Sequence, residues 1–273
     1  MSLVLSRTIN GEGTELKKAI LIAMADEYPF ADIRKQIYPK LEKYYSENGF
    51  DVFFVSGRTQ SRAQRIIRRQ IEKLRWNKYA ILLRVYDVIA LAPYKFIRPK
   101  VSMYNQDIRV NVPEDLRHLS LKILESLSFL AKKGYQIIIR TTVSSVIIPQ
   151  MLAPELGLLI NSKYLYAGRE IEQADRFRFI SGCFTIFNQN SINLLESHRS
   201  SLDFSLIDDV CFGKFFLNHG VHPKSISSVN IQTTSEAAQL TVKNLKPHYR
   251  CKSGLRSRND LEVMTQLLRR CGI

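Results

Sequence analysis

Cysteine is scarce in this chain of 273 residues: Cys183, Cys211, Cys251 and Cys271 are the full set, and no two stand in C-x-x-C spacing. That excludes a disulfide scaffold or a zinc ribbon, and reduced thiols in a reducing compartment are expected. Long apolar runs are missing too. No stretch approaches the ~20 residues needed to span a bilayer, and MSLVLSRTINGEG has too short an apolar part for a signal peptide. A soluble, cytoplasmic protein is expected, with any membrane contact peripheral. Acids are the third shortage, 25 against 40 Lys and Arg, leaving a formal charge of +15. Such an excess suits an anionic partner: nucleic acid, an acidic membrane surface or a phosphorylated ligand. There is no Ser-His-Asp arrangement, phosphate-binding G-x-x-x-x-G-K-[ST] loop or zinc motif to support a hydrolase, ATPase or finger. With 45% hydrophobic residues, the chain has ample material for a globular core.

What is present centres on Tyr135 to Ser145, YQIIIRTTVSS, a β-branched run that stops at an arginine followed by small hydroxyl residues. Such a strand end is what an α/β sheet offers a phosphorylated ligand. Before it, residues 1–16 read as a polar leader and Ala19 to Ala25 as a first strand, followed by Asp26. An acid there either contacts a base or ribose or merely caps a turn. Residues 31–48 carry Ile33, Ile37, Leu41 and Tyr44 at helical spacing, and Phe50 to Val55 forms a second strand. Tyr86 to Leu91, YDVIAL, reads as a third, and a helix is expected from Pro113-Glu114-Asp115 onward, with Leu116, Leu119, Ile123, Leu124 and Leu127 inward. Alternating strands and helices predict a mostly parallel sheet covered on both faces.

Between Arg58 and Lys78 stand eight Lys or Arg and one acid. Arg58, Arg62, Arg65 and Arg69 share a helical face, either a solvated surface or a docking surface for anionic lipid or nucleic acid. Without interleaved aromatics before Trp76, nucleic acid is the weaker partner.

The order YDVIAL, NVPEDLRHLSLKILESL, YQIIIRTTVSS resembles the sugar-nucleotide half of the β-1,3-galactosyltransferase and fringe-like glycosyltransferases. YLYAG, FRFISGCFTIFNQNSINLL and LIDDVCFGKFFLNHGVHP are similar to that family's "Y-x-S-G" and "E-D-V-x-x-G" signatures in the second half. The resemblance spans roughly residues 17–252 and rests on the ordered set. It implies an α/β fold of GT-A type, Rossmann-like, with a mixed, mostly parallel central sheet. A single domain over 1–273 is expected, with residues 1–145 as the nucleotide-sugar half and 146–273 as the acceptor half with a closing segment. The implied activity is inverting transfer of a sugar from a nucleotide-sugar donor to a hydroxyl of a glycan or glycoconjugate. The alternative is a non-enzymatic binder of nucleic acid or anionic membrane that uses the basic helix at 58–78.

Where the family carries a metal-binding Asp triplet, this chain has Thr142, Val143 and Ser144. Hard cations prefer carboxylate oxygens, so a role for Mn²⁺ or Mg²⁺ stays open and no cofactor is required. Positive side chains are the expected substitute: His248, Arg250 and Lys252 alternate in KPHYRCK and would share one side of an extended segment. Asp26, Arg58, Lys122, Arg140, Thr142 and Ser144 complete the expected donor set. Asp209 of LIDDV aligns with the family's catalytic base and Asp208 with its neighbour, although both acids also suit the first turn of a helix. Tyr166, Gly182 and Cys183 are the expected acceptor contacts. Gly182 marks a close backbone approach or a strand irregularity, and Cys183 is equally a small buried side chain.

Overall fold

A computed structural model describes residues 16–24, 30–58, 85, 88–173, 177–252 and 259–273. Asp26 and nearly all of the basic 58–78 segment lie outside these. In chain order the elements are β1 (Lys18–Ala23), α1 (Phe30–Gln36), α2 (Tyr38–Glu47), β2 (Phe50–Arg58), β3 (Val101–Tyr104), β4 (Asp107–Pro113), α3 (Leu119–Lys132), β5 (Ile137–Thr142), β6 (Ser145–Ile147) and α4 (Pro149–Leu159). There follow β7 (Tyr166–Glu172), β8 (Arg178–Asn188), α5 (Gln189–Ser197), α6 (Asp208–Asn218), β9 (Lys224–Ser225), β10 (Ser228–Ile231), α7 (Thr234–Ala238), β11 (His248–Cys251) and α8 (Asp260–Cys271). No described helix is long and apolar enough to cross a membrane.

The fold is mixed α/β. Eight strands form a central sheet in the order β3-β4-β2-β1-β5-β8-β7-β9, and three form a smaller sheet, β10-β11-β6. The middle of the large sheet is parallel: β1 pairs in register with both β2 and β5, and β2 pairs with β4. Strand alternation assigns each residue to a face. Ile20, Ile22, Val52, Phe54, Ile137 and Ile139 face one way, onto Ile33, Leu41, Leu152 and Leu267 of four helices. Leu21, Phe53, Val55 and Ile138 face the other, onto Ile123, Leu127, Ile192 and Phe216 of α3, α5 and α6. Near-continuous apolar runs such as AILIA and IIIR are what two-sided burial demands. The chain reverses its lateral direction at β1, with β2 on one side and β5 on the other, so Ala23 and Thr142, the last pair of that ladder, flank a switch point.

Three sequence expectations need correction. Residues 88–91 are helical and Val88 and Ile89 are exposed, so YDVIAL supplies no strand there. The parallel strand beside β2 is instead β4, DIRVNVP, whose Ile108, Val110 and Val112 are buried at every second position. Pro113 ends that strand and does not open a helix, which begins at Leu119 and leaves Leu116, expected on its buried face, exposed before it. Finally, the helix expected over 31–48 is two helices, divided at Ile37, because Pro39 has no N–H to continue the ladder.

Candidate active site

The central strand ends in Arg140-Thr141-Thr142, and three other elements converge there. Strand β8 runs antiparallel beside it, pairing Arg140 with Thr185 and Thr141 with Phe184, which brings Gly182 and Cys183 beyond the strand's carboxyl end. Helix α6 supplies Asp208 and Asp209 from its first turn, where the helix dipole favours carboxylates. Strand β11 returns from the far end of the chain to pair with β6, setting Arg250 opposite Ser145 and His248 opposite Ile147. The Cys251 N–H donates to the Ser144 carbonyl at 2.8 Å and extends this junction.

On the α6 side, Arg140 and Asp208 form an ion pair of 2.7 Å with both side chains buried. Arg140 was expected to face the donor; its guanidinium is committed to Asp208 inside the protein. Burial pushes the Asp208 carboxyl up to about 6, against the pull of Arg140 and aided by the repulsion of Asp209. Asp208 is therefore a buried support and not an acceptor contact. Asp209, one residue on, is only partly buried: its Oδ2 accepts from the Gly182 N–H at 3.3 Å and its Oδ1 from the Val210 N–H at 2.9 Å.

Gly182 is a close approach, although the group approached is not a sugar. A Cβ built there would lie 2.5 Å from Arg140 Nη1 and 2.8 Å from Cζ. Because the guanidinium is held by Asp208, it cannot swing away without breaking the pair. Gly182→Ala is expected to lower stability by about 1–3 kcal/mol through overpacking, read as a reduced Tm in thermal unfolding; an unchanged Tm would show that Arg140 yields freely.

Tyr166, expected at the acceptor, is 1% exposed. Its ring stacks on Phe216 at 4.5 Å and its hydroxyl accepts from the Ile180 N–H at 2.8 Å, so it is a core residue. Cys183 is likewise buried, and its carbonyl accepts from the Thr141 hydroxyl at 2.7 Å. Lys122 is also corrected: it is buried in α3 and bonded to Glu114, whose other oxygen accepts from the Gly57 N–H. That ties the end of β2 to α3 and does not present an ammonium to a ligand. Arg58 is exposed at the end of β2, where its carbonyl accepts from the Glu114 N–H at 3.3 Å.

The opposite face carries the basic groups. His248 is fully buried, with its ring parallel to Phe184 at 4.4 Å and its Nδ1 2.7 Å from the Ser228 hydroxyl. Burial, reinforced by Arg169 and Arg250, lowers its pKa to about 3, so the imidazole is neutral and cannot supply the positive charge expected of it. The Nε of the half-buried Arg250 makes no hydrogen bond among the described residues. Lys252 is exposed just past the strand. Arg169 joins this group unannounced by the sequence: it lies on β7, donates to Asn230 and reaches Cys183 Sγ at 3.9 Å. Asn230 in turn pairs with Arg250 in the small sheet. The available signal was its position directly after YLYAG. Gly168 has φ +140° and a Cβ there would meet the Phe184 carbonyl at 2.1 Å, so the strand bends just where Arg169 must turn toward β11.

The side chains of residues 142–144 do not suit a hard cation. Val143 and Ser144 are buried, the Val143 carbonyl accepts from the Tyr38 hydroxyl, and the Thr142 hydroxyl lies 3.0 Å from that of Ser145. None offers a carboxylate oxygen. Among the described residues no group of three or more His, Cys, Asp or Glu could hold a metal.

The sequence matches no protein-family model and no curated protein. Among solved structures, mouse xyloside xylosyltransferase 1 in its apo form is similar over 86% of this chain and 97% of that chain, with 11% sequence identity and a TM-score of 0.41.

Proposed function

We propose that this chain is a glycosyltransferase of GT-A type that moves a sugar from a nucleotide-sugar donor to an acceptor hydroxyl with inversion. The observation that carries this reading is the placing of opposite charge around Gly182-Cys183. A half-buried carboxylate, Asp209, accepts from the Gly182 N–H, while Arg169 lies against Cys183 and joins Arg250 through Asn230. Direct displacement at an anomeric carbon asks for that division, because the acceptor oxygen enters on one side and the diphosphate leaves on the other. The ordered resemblance of the sequence motifs to β-1,3-galactosyltransferases supports the same reading.

In this mechanism the acceptor hydroxyl gives its proton to Asp209 as its oxygen bonds to the anomeric carbon. The bond from that carbon to the diphosphate oxygen breaks, and its electron pair leaves with the diphosphate. Arg250, Arg169 and Lys252 meet the growing charge, which fixed cations stabilise most where water is excluded. His248, neutral and stacked on Phe184, acts as a packed spacer beside them. No step runs through a metal.

The decisive experiment measures Tm against a panel of nucleoside diphosphates, together with diphosphate release from the matching nucleotide sugars. A diphosphate that raises Tm and a donor that is turned over are expected, with much of the activity surviving EDTA. Arg250→Ala should weaken diphosphate binding by roughly 10- to 100-fold, the worth of a charged hydrogen bond. No stabilisation by any diphosphate and no turnover would remove the reading. Complete loss in EDTA, restored by Mn²⁺, would remove its metal-free form.

A further inference from the structure

Residues 88–104 form a strap along the β4 edge of the sheet that is fastened on its inner side and apolar on its outer side. Leu91 is buried in the core with α3, and Tyr94 and Val101 pack against that core. The buried Arg199 donates Nε–H to the Tyr94 carbonyl at 2.9 Å, and Arg98 pairs with Glu196, so the strap is held against α5 and the turn after it. Outward, Ile89 is 68% exposed, Phe96 80% and Ile97 62%. Lys95, half-buried, and Lys100, exposed, stand beside them in the chain.

We propose that this strap docks the protein on an anionic lipid bilayer, with Ile89, Phe96 and Ile97 entering the headgroup boundary and Lys95 and Lys100 meeting lipid phosphates. Charge complementarity argues for this occupant. Residues 88–104 contain three Lys or Arg and no acid, in a chain of net charge +15. Exposed apolar side chains with cations beside them suit interfacial insertion, in which apolar burial and attraction to anionic lipid add. A nucleic acid would use the cations but has no use for exposed Ile89 and Ile97, since base stacking needs flat rings. A second copy of the chain would bring the same positive charge to the same surface, and like charge opposes that contact. The proposal does not depend on sugar transfer.

The test is co-sedimentation of the full chain with vesicles of phosphatidylglycerol and phosphatidylcholine, against phosphatidylcholine alone. Binding to the anionic vesicles is expected, reduced by salt and with a fraction that persists. Phe96→Ser combined with Ile97→Ser keeps every charge and should lower partitioning at least about tenfold without moving Tm. Lys95→Glu with Lys100→Glu should lower it also. Failure to bind anionic vesicles, or full binding by the serine variant, would overturn the proposal, because the second result would leave only diffuse electrostatic attraction. Tighter binding to RNA than to vesicles, or a dimer in size-exclusion that the serine variant dissolves, would assign the strap to another partner.

Discussion

Asp209→Asn is expected to reduce sugar transfer by a factor on the order of 10² to 10⁴, the usual worth of a positioned general base. Asn is nearly the shape of Asp, and its side-chain oxygen can still accept from the Gly182 N–H, the 3.3 Å contact that seats the wild-type carboxylate. Fold and nucleoside diphosphate affinity should therefore be retained while the rate falls. The measurement is kcat for transfer beside a direct binding titration of the diphosphate. Near-normal transfer by a folded Asp209→Asn variant would place the base elsewhere. Asp208 cannot serve as the substitute, because it is buried and held by Arg140.

Arg140→Ala is expected to have the largest effect on stability. It leaves the Asp208 carboxylate buried without its cation, a type of loss that costs about 3–5 kcal/mol and lowers Tm on the order of 10 °C. The effect should depend on pH in a definite sense. In the wild-type protein burial already raises the Asp208 pKa to about 6, above its unfolded value, and Arg140 opposes that rise. Removing Arg140 raises it further. A carboxyl whose folded pKa lies above its unfolded one favours folding while protonated and loses that contribution as pH climbs through the folded pKa. The Tm gap between wild type and variant should accordingly widen from pH 5 to pH 8. A gap independent of pH would show that the loss is one of packing and not of charge.

The parts of the fold written in local pattern were legible. AILIA, FDVFFV and IIIR are strands because two-sided burial leaves an almost unbroken apolar run, and the LSLKIL helix places its apolar residues in the core. Strand β4 was hidden because its period-two pattern is carried by only three residues inside a stretch rich in proline and charge. At the site, the sequence offered residue types but not partners. Nothing near Arg140 announces that Asp208 will neutralise it, since that meeting depends on how α6 packs under β8. The alternation of His248 and Arg250 was readable, yet His248 lies under Phe184, and burial decided its charge. Arg169 was passed over because an arginine in a strand draws notice only once β7 and the small sheet are in place.

The pairing of β6 with β11 also sets an order of assembly. Every strand of the large sheet, together with the helix bearing Asp209, precedes His248 in the chain, so all of them leave the ribosome before the strand that brings Arg250. Until then β6 offers an unpaired edge, and closing it requires a contact of long sequence separation, the slowest kind to form. A nascent chain at that stage lacks Arg250, one of the cations proposed to meet a diphosphate. The same delay leaves an open strand edge to be guarded against pairing with a neighbour.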